Sequence, residues 1–318
     1  MAGTHPPVIG AGTGVTRQSG KDRQQQPMKI LIIGGSGQTG SRLQQRLDDS
    51  SLEYFAPSRE LLDLTDSRQL QEVFDSYRPD ILVNAAGYRN ADQAETEPSR
   101  CFALNRDAVA ELATLCSQYG SILFQISSYM VFDGKKNDAY TEKDAVNPLG
   151  VLGGSYWQGE QQIRERCPRH IILRVGWMIS ERKFELLRNI IDQLKNPSPF
   201  NVLGNRYGNP TPADDAARVI TAVIQQLDCG AEPWGTYHYG GVNAVSESEL
   251  ARTILREVAE YDEVATDQLN VLTAAVDDES RKFPLNSRLD STRLLHTFGI
   301  HANDWTVGLS RLIKSFYV

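Results

Sequence analysis

Three glycines, Gly34, Gly37 and Gly40, stand three residues apart in a GxxGxxG run directly after the apolar segment that begins at Lys29. Glycine has no Cβ, so such a turn lets backbone amides approach a diphosphate and lets the following helix pack closely on the strand before it. The unpaired amides and positive dipole end of that helix suit phosphate groups without requiring a lysine. Gln38 and Thr39 line the same turn. These residues point to a site for the pyrophosphate of a redox dinucleotide. Further on, the second apolar segment ends in Pro57, Ser58 and Arg59, where an NAD-preferring site places an acidic residue on the ribose 2′-hydroxyl. A cation there favours a 2′-phosphate, so NADP(H) is the expected cofactor and NAD(H) the alternative. An earlier glycine cluster, Gly10, Gly12 and Gly14, has neither a strand before it nor an amphipathic helix after it, and carries no such reading.

The elements that must hold this loop follow from hydropathy. KILIIGG is a short, continuously apolar strand of the kind buried on both faces of a parallel sheet. A helix through Arg42 to Leu47, a strand near Leu52 to Ala56, a helix from about Ser67 to Tyr77 and a strand at Ile81 to Val83 follow. The alternation continues with a helix near Arg100 to Tyr119, a strand at Ile122 to Ile126, a helix near Tyr156 to Arg166 and a strand at His170 to Val175. Regular β/α alternation predicts an α/β chain, a Rossmann-like doubly wound parallel sheet over residues 28–177. Beyond 178 the rhythm loosens, which predicts a smaller substrate lobe over 178–318, with a helix at 213–226 packing back on the Rossmann sheet. Residues 1–27 are rich in Gly, Pro, Gln and Ser without apolar periodicity and read as a flexible tail.

A chain of 318 residues, 40% hydrophobic and 23% charged, has the composition of a folded globular protein. Its net charge of −7 argues against a nucleic-acid partner. The four cysteines (Cys101, Cys116, Cys167 and Cys229) lack metal-ligand or redox-pair spacing and read as reduced core filler. No metal site is visible. No apolar run is long enough to span a membrane and no signal core is present, so a cytoplasmic location is expected.

LDLTD at Leu62–Asp66 and NAAG at Asn84–Gly87, placed after the glycine loop, resemble the extended short-chain dehydrogenase/reductase superfamily. ADQAETEP at Ala91–Pro98, SSYMVFDG at Ser127–Gly134, NPLG at Asn147–Gly150, RVGW at Arg174–Trp177, GNPTPADDAA at Gly208–Ala217 and NSRLDS at Asn286–Ser291 narrow the resemblance to the dTDP-4-dehydrorhamnose reductase family, from Met28 to the C-terminus. The resemblance implies a nucleotide-sugar ligand lying between the two lobes. It implies that Asp63 and Leu64 approach the adenine, that Ala85, Ala86 and Gly87 border the ribose and phosphates, and that Asn105 supports the central strands. It assigns Ser128 to the carbonyl oxygen of the substrate, with Tyr129 beside it, and places Trp177 in the sugar-nucleotide pocket. Some members recruit magnesium through acidic residues at a dimer contact, and a homodimer or a protein partner is accordingly open.

In this superfamily a Tyr donates the proton to the developing alkoxide and a Lys four residues later lowers that Tyr's pKa. An ungapped match through Pro148 and the Gly159–Glu160 pair puts Leu152 at the tyrosine position and Tyr156 at the lysine position. Leucine has no proton to give, and a phenol with a pKa near about 10 gives its neighbour no positive charge. The expectation is an NADP(H)-binding reductase homologue with weak or altered activity, in which Tyr156, Tyr129 or a water supplies the proton. The alternative is a catalytically silent pseudoenzyme that binds nucleotide as a regulatory or scaffolding subunit, similar to the beta subunit of methionine adenosyltransferase. The glycines of GVLGGSYWQGE are expected to weaken the helix that carries these positions.

Overall fold

The computed structural model describes residues 27–50, 52–181, 185–195, 200–263, 269–275, 278 and 281–317. The tail expected over 1–27 and the glycine cluster within it lie outside the described residues, save Pro27. In the first half, β1 (Lys29–Ile33), α1 (Gln38–Asp48), β2 (Glu53–Phe55), α2 (Ser67–Tyr77) and β3 (Ile81–Asn84) lead into the short helices α3 (Ala91–Thr96) and α4 (Pro98–Phe102). After a π-helical turn at Ala103–Asp107 come α5 (Ala108–Tyr119), β4 (Ile122–Ser128), α6 (Val151–Arg166) and β5 (His170–Val175). The second half runs β6 (Trp177–Ile179), α7 (Glu185–Lys195), β7 (Phe200–Leu203), β8 (Tyr207–Gly208), β9 (Pro210–Pro212), α8 (Ala213–Asp228) and β10 (Gly235–Tyr239). It closes with β11 (Val245–Ser246), α9 (Glu247–Val258), β12 (Leu269–Leu272), α10 (Thr292–Phe298) and α11 (Trp305–Tyr317).

Six strands form one parallel sheet in the order β10-β5-β4-β3-β1-β2. From β1 the chain goes to one side for β2 and to the other for β3, so the order reverses between β1 and β3. The carboxyl ends of strands at such a reversal leave a crevice between diverging connections, where ligands of this architecture bind. Gly34 and Ala85 follow those two strand ends.

Both faces of the sheet are covered. One core joins Ile30, Ile32, Val83, Phe124 and Leu173 to Ala217, Ile220, Val223 and Ile224 of α8. The other joins Leu31, Leu82 and Leu123 to Phe74 of α2 and to Val109, Leu112 and Cys116 of α5. A third core, with Trp177, Ile179, Leu187, Leu250, Ile254, Leu309 and Ile313, unites α7, α9 and α11 around the short sheets of the second lobe.

Two features differ from the sequence reading of the lobes. The helix expected at 213–226 does pack on a sheet face, as α8, but the sheet does not end near residue 177: β10, sixty residues later, pairs with β5 over Gly235–Tyr239. Hydropathy records that a segment is buried and not which strand it joins, so this return was invisible locally. Helix α6 also starts at Val151 rather than near Tyr156 and runs through all its glycines. A Cβ at Gly153 would strike the carbonyl of Met130, and one at Gly159 that of Asn105. These glycines allow close packing, which outweighs their poor intrinsic helix propensity. Of the cysteines, Cys101, Cys116 and Cys167 are buried, but Cys229 follows α8 and is exposed, so it is not core filler.

Candidate active site

The glycine turn meets the connection after β3 at backbone distance. Gly34 has φ +80°, and a Cβ there would lie 2.6 Å from the amide nitrogen of Ala86. A Cβ on Gly40 would run into the carbonyl of Gly34, so only hydrogen fits. Gly37 donates its amide to Gly34 O at 2.9 Å and precedes α1 without a side-chain cap. The first-turn amides of Gln38, Thr39 and Gly40 therefore have no intrahelical partner and no cap, which is the arrangement that receives a phosphate. Gln38 and Thr39 are buried, and Thr39 Oγ1 reaches Met178 Sδ of β6 at 4.0 Å.

The opposite wall is fixed by Asn105. Its side-chain oxygen accepts from Tyr88 N at 2.8 Å, while its amide donates to Tyr88 O at 3.1 Å and to Ser155 Oγ of α6 at 2.9 Å. A buried amide with all these partners satisfied rigidifies the Ala85–Tyr88 connection. A Cβ on Gly87 would lie 2.8 Å from Asn105 Oδ1. Asn105 sits within the π-helical turn, which re-aims a side chain away from the regular helical spacing. Its support is thus exerted on the loop after β3 rather than on the strands themselves.

Ser58 and Arg59 lie exposed in the turn after β2, with Ser58 O accepting from Leu61 N and Leu62 N at 3.0 Å. Asp63 is exposed and turned on its own loop: hydrogen bonds from the Thr65 amide and hydroxyl hold its carboxyl below the usual range, and the Arg59 charge adds to this. Leu64 is buried in the core beneath α2 and α5.

At the two positions that the sequence match assigns to proton transfer, Leu152 is buried with Tyr88, Ala94, Cys101 and Met130 and presents only hydrocarbon. Tyr156 is half-buried and donates its hydroxyl to Tyr88 O at 3.1 Å. Burial pushes its phenol up to about 12, against an opposing pull from the Arg89 charge. Ser128 ends β4, and its hydroxyl accepts from Met130 N at 3.2 Å. Tyr129 is half-buried, with its hydroxyl 3.4 Å from Arg206 Nη2. That arginine lies over the rings of Trp177 and Phe283, at 5.3 and 4.5 Å from their centroids, and pairs with Glu247 at 3.2 Å. Trp177 is itself buried, with Nε1 donating to Ser287 Oγ at 2.7 Å. Tyr129, Trp177, Arg206 and Phe283 thus form a cation–aromatic cluster where the sequence singled out only Tyr129 and Trp177. Arg206 and Phe283 come from distant loops and carry no local signal.

A second group was missed. Glu160 on α6 is fully buried and uses both oxygens: Oε1 accepts from Arg174 Nε at 2.8 Å and Ser127 Oγ at 2.6 Å, Oε2 from Arg174 Nη2 at 2.6 Å and Arg164 Nη2 at 2.8 Å. Burial raises its pKa, but the charge and hydrogen bonds of Arg174, with help from Arg164 and Ser127, bring the carboxyl below its usual value. Arg174 faces His238 of β10, whose Nε2 lies 3.4 Å from its guanidinium. The signal available was an arginine inside the otherwise apolar strand HIILRV. The quartet bolts α6, which carries Leu152 and Tyr156, to β4 and β5, beside Ser128.

Among the described residues no group of His, Cys, Asp and Glu could hold a metal ion, and no helix is long and apolar enough to cross a membrane. The glycine cradle, closed to any Cβ and lined by uncapped amides, fits a dinucleotide diphosphate.

Comparison with known proteins identifies the family and the fold. The family model for the RmlD substrate binding domain matches residues 28–318. The dTDP-4-dehydrorhamnose reductase of Aggregatibacter actinomycetemcomitans is 32% identical over 287 residues, covering 89% of this chain and 98% of that protein. A crystal structure of a dTDP-4-dehydrorhamnose reductase from Clostridium acetobutylicum superposes with a TM-score of 0.82 at 26% identity, covering 92% of this chain and 100% of the other. The enzyme of the same description from Bacillus anthracis, crystallised with NADP, gives a TM-score of 0.80 at 25% identity, with coverages of 91% and 99%.

Proposed function

The chain belongs to the RmlD substrate binding domain family, and from that membership we propose that it binds NADP(H) and a nucleotide sugar as a dTDP-4-dehydrorhamnose reductase homologue with weak or altered reductase activity. The observation that carries this reading is the pair at the proton-transfer positions: a buried leucine at 152 and, one turn on, a phenol hydrogen-bonded to a backbone carbonyl. Bound NADPH would supply a hydride to a carbonyl carbon. The uncapped start of α1 would hold the diphosphate, Arg59 the 2′-phosphate, and the Ala85–Gly87 connection would border the ribose. Ser128 would hold the substrate's carbonyl oxygen, and the cluster of Trp177, Arg206 and Tyr129 would receive the nucleotide end. Neither Leu152 nor Tyr156 offers the proton of a tyrosine made acidic by a neighbouring lysine. Loss of general acid catalysis costs about 10² to 10⁴ in rate. That leaves slow turnover through Tyr156, Tyr129 or a water.

The test is NADPH oxidation with dTDP-4-dehydrorhamnose, for the native chain and for a Leu152→Tyr, Tyr156→Lys double variant. Slow native turnover and a gain of about 10² or more in the variant is the expected result. Ordinary enzyme rates in the native chain, with no gain in the variant, would sink the reading of an impaired site. Native NADPH binding with no turnover of any 4-keto sugar nucleotide would instead identify the non-catalytic, nucleotide-binding subunit, whose partner a pull-down would then reveal.

A further inference from the structure

Arg89 follows the Ala85–Tyr88 connection, and its guanidinium crosses the crevice rather than pointing away from it. Nη1 donates to Gln38 Oε1 at 3.1 Å, and a Cβ on Gly37 would lie 3.8 Å from Nη2. The guanidinium thus rests against the start of α1, where the uncapped amides gather. Its charge also reaches the Tyr156 hydroxyl, which bonds to the carbonyl of the residue just before Arg89. The backbone on either side is anchored. Tyr88 is held at both N and O by Asn105, and Asn90 caps α3 by accepting from Gln93 N at 2.9 Å. The two arginines of α1 behave differently: Arg42 pairs with Glu181 and Arg46, in the last turn, with Asp214. Arg89 is exposed and has no carboxylate partner among the described residues.

We infer that Arg89 is a cofactor-positioning residue that, from the loop after β3, clamps the dinucleotide's pyrophosphate against the α1 amides. The inference rests on the NADP(H) reading above. A guanidinium presents paired N–H donors in a plane that matches two phosphate oxygens. The ligand diphosphate replaces Gln38 Oε1 as the acceptor, and Gln38 is released to line the turn.

The experiment is calorimetric titration of the full chain, native and Arg89→Ala, Arg89→Lys and Arg59→Ala, with NADPH, NADH and adenosine 2′-monophosphate. The last keeps the adenosine 2′-phosphate and lacks both phosphates of the pyrophosphate. Arg89→Ala is expected to weaken NADPH and NADH alike by about ten- to a hundredfold, the scale of one charged hydrogen-bonding group, and to leave the monophosphate within about twofold. Arg89→Lys should recover part of the loss, because it restores charge without the planar fork. Arg59→Ala should show the opposite selectivity, weakening NADPH and the monophosphate while sparing NADH. Native-like NADPH affinity in Arg89→Ala, or an equal loss for the monophosphate, overturns the inference while leaving the NADP(H) reading intact. A native chain that binds neither dinucleotide overturns that reading, and the clamp with it.

Discussion

Acidification should loosen the central sheet through one histidine. His238 lies on β10 opposite Arg174, fully buried. Its Nδ1 is 2.9 Å from Tyr140 O and its Nε2 3.4 Å from Arg174 Nη1. Nδ1 therefore donates and Nε2 accepts, which only the neutral ring can do; a second proton on Nε2 would face a guanidinium already locked to Glu160. Phe132 meets the imidazole edge-on at 5.6 Å and adds no countercharge. Glu142 accepts from His238 N, Asp290 lies further off, and Glu160 is engaged by Arg174. Burial first, and Arg174 second, lower the pKa from 6.5 to about 3, against smaller opposing pulls from Tyr140 O and these carboxylates. Between those values the unfolded chain takes up a proton that the folded chain refuses. Stability is full above about 6.5 and falls by about 1.4 kcal/mol for each step of one pH unit below it. At pH 5 the loss comes to about 2 kcal/mol, a sizeable share of a net stability of about 5–15 kcal/mol. Urea unfolding at pH 7 and pH 5, for the native chain and His238→Asn, isolates this contribution, because every other titrating group is common to both. Asparagine keeps a donor for Tyr140 O but takes up no proton. The native chain should lose about 2 kcal/mol more than the variant between the two pH values. Equal losses would refute the neutral, arginine-facing histidine.

Glu160→Gln should destabilise the fold by about 3–5 kcal/mol in the same unfolding assay at pH 7, since it leaves Arg174 charged and buried without its countercharge. Gly40→Ala should abolish detectable NADPH binding by titration and lower the thermal midpoint, because its methyl has to displace the backbone of Gly34. Tyr156→Phe should cost no more than about 1 kcal/mol of stability, because Tyr88 O keeps its bond from Asn105. If the same variant loses most of the residual NADPH oxidation, Tyr156 is the surviving proton donor; an unchanged rate assigns that proton to Tyr129 or water.

Much of this was legible along the chain because the signals are local. A strand buried on both faces must be continuously apolar, and a diphosphate cradle must be glycine, so Lys29–Ile33 and Gly34, Gly37 and Gly40 announced themselves. The spacing between Pro148 and Glu160 is also what assigns Leu152 and Tyr156 to the tyrosine and lysine positions in the reading proposed above. The start of α6 could not be read along the chain, since glycine's cost within a helix is a local quantity and its reward, contact with Met130 and Asn105, comes from residues far away in sequence. The same holds for β10 returning to the sheet, for Arg206 and Phe283 meeting Trp177, and for the Glu160, Arg174 and His238 cluster. Residue type and spacing fixed which segments are buried and what the glycine turn can hold. Which distant side chains share one low-dielectric space, and therefore which charges must pair there, was decided only when the sheet closed.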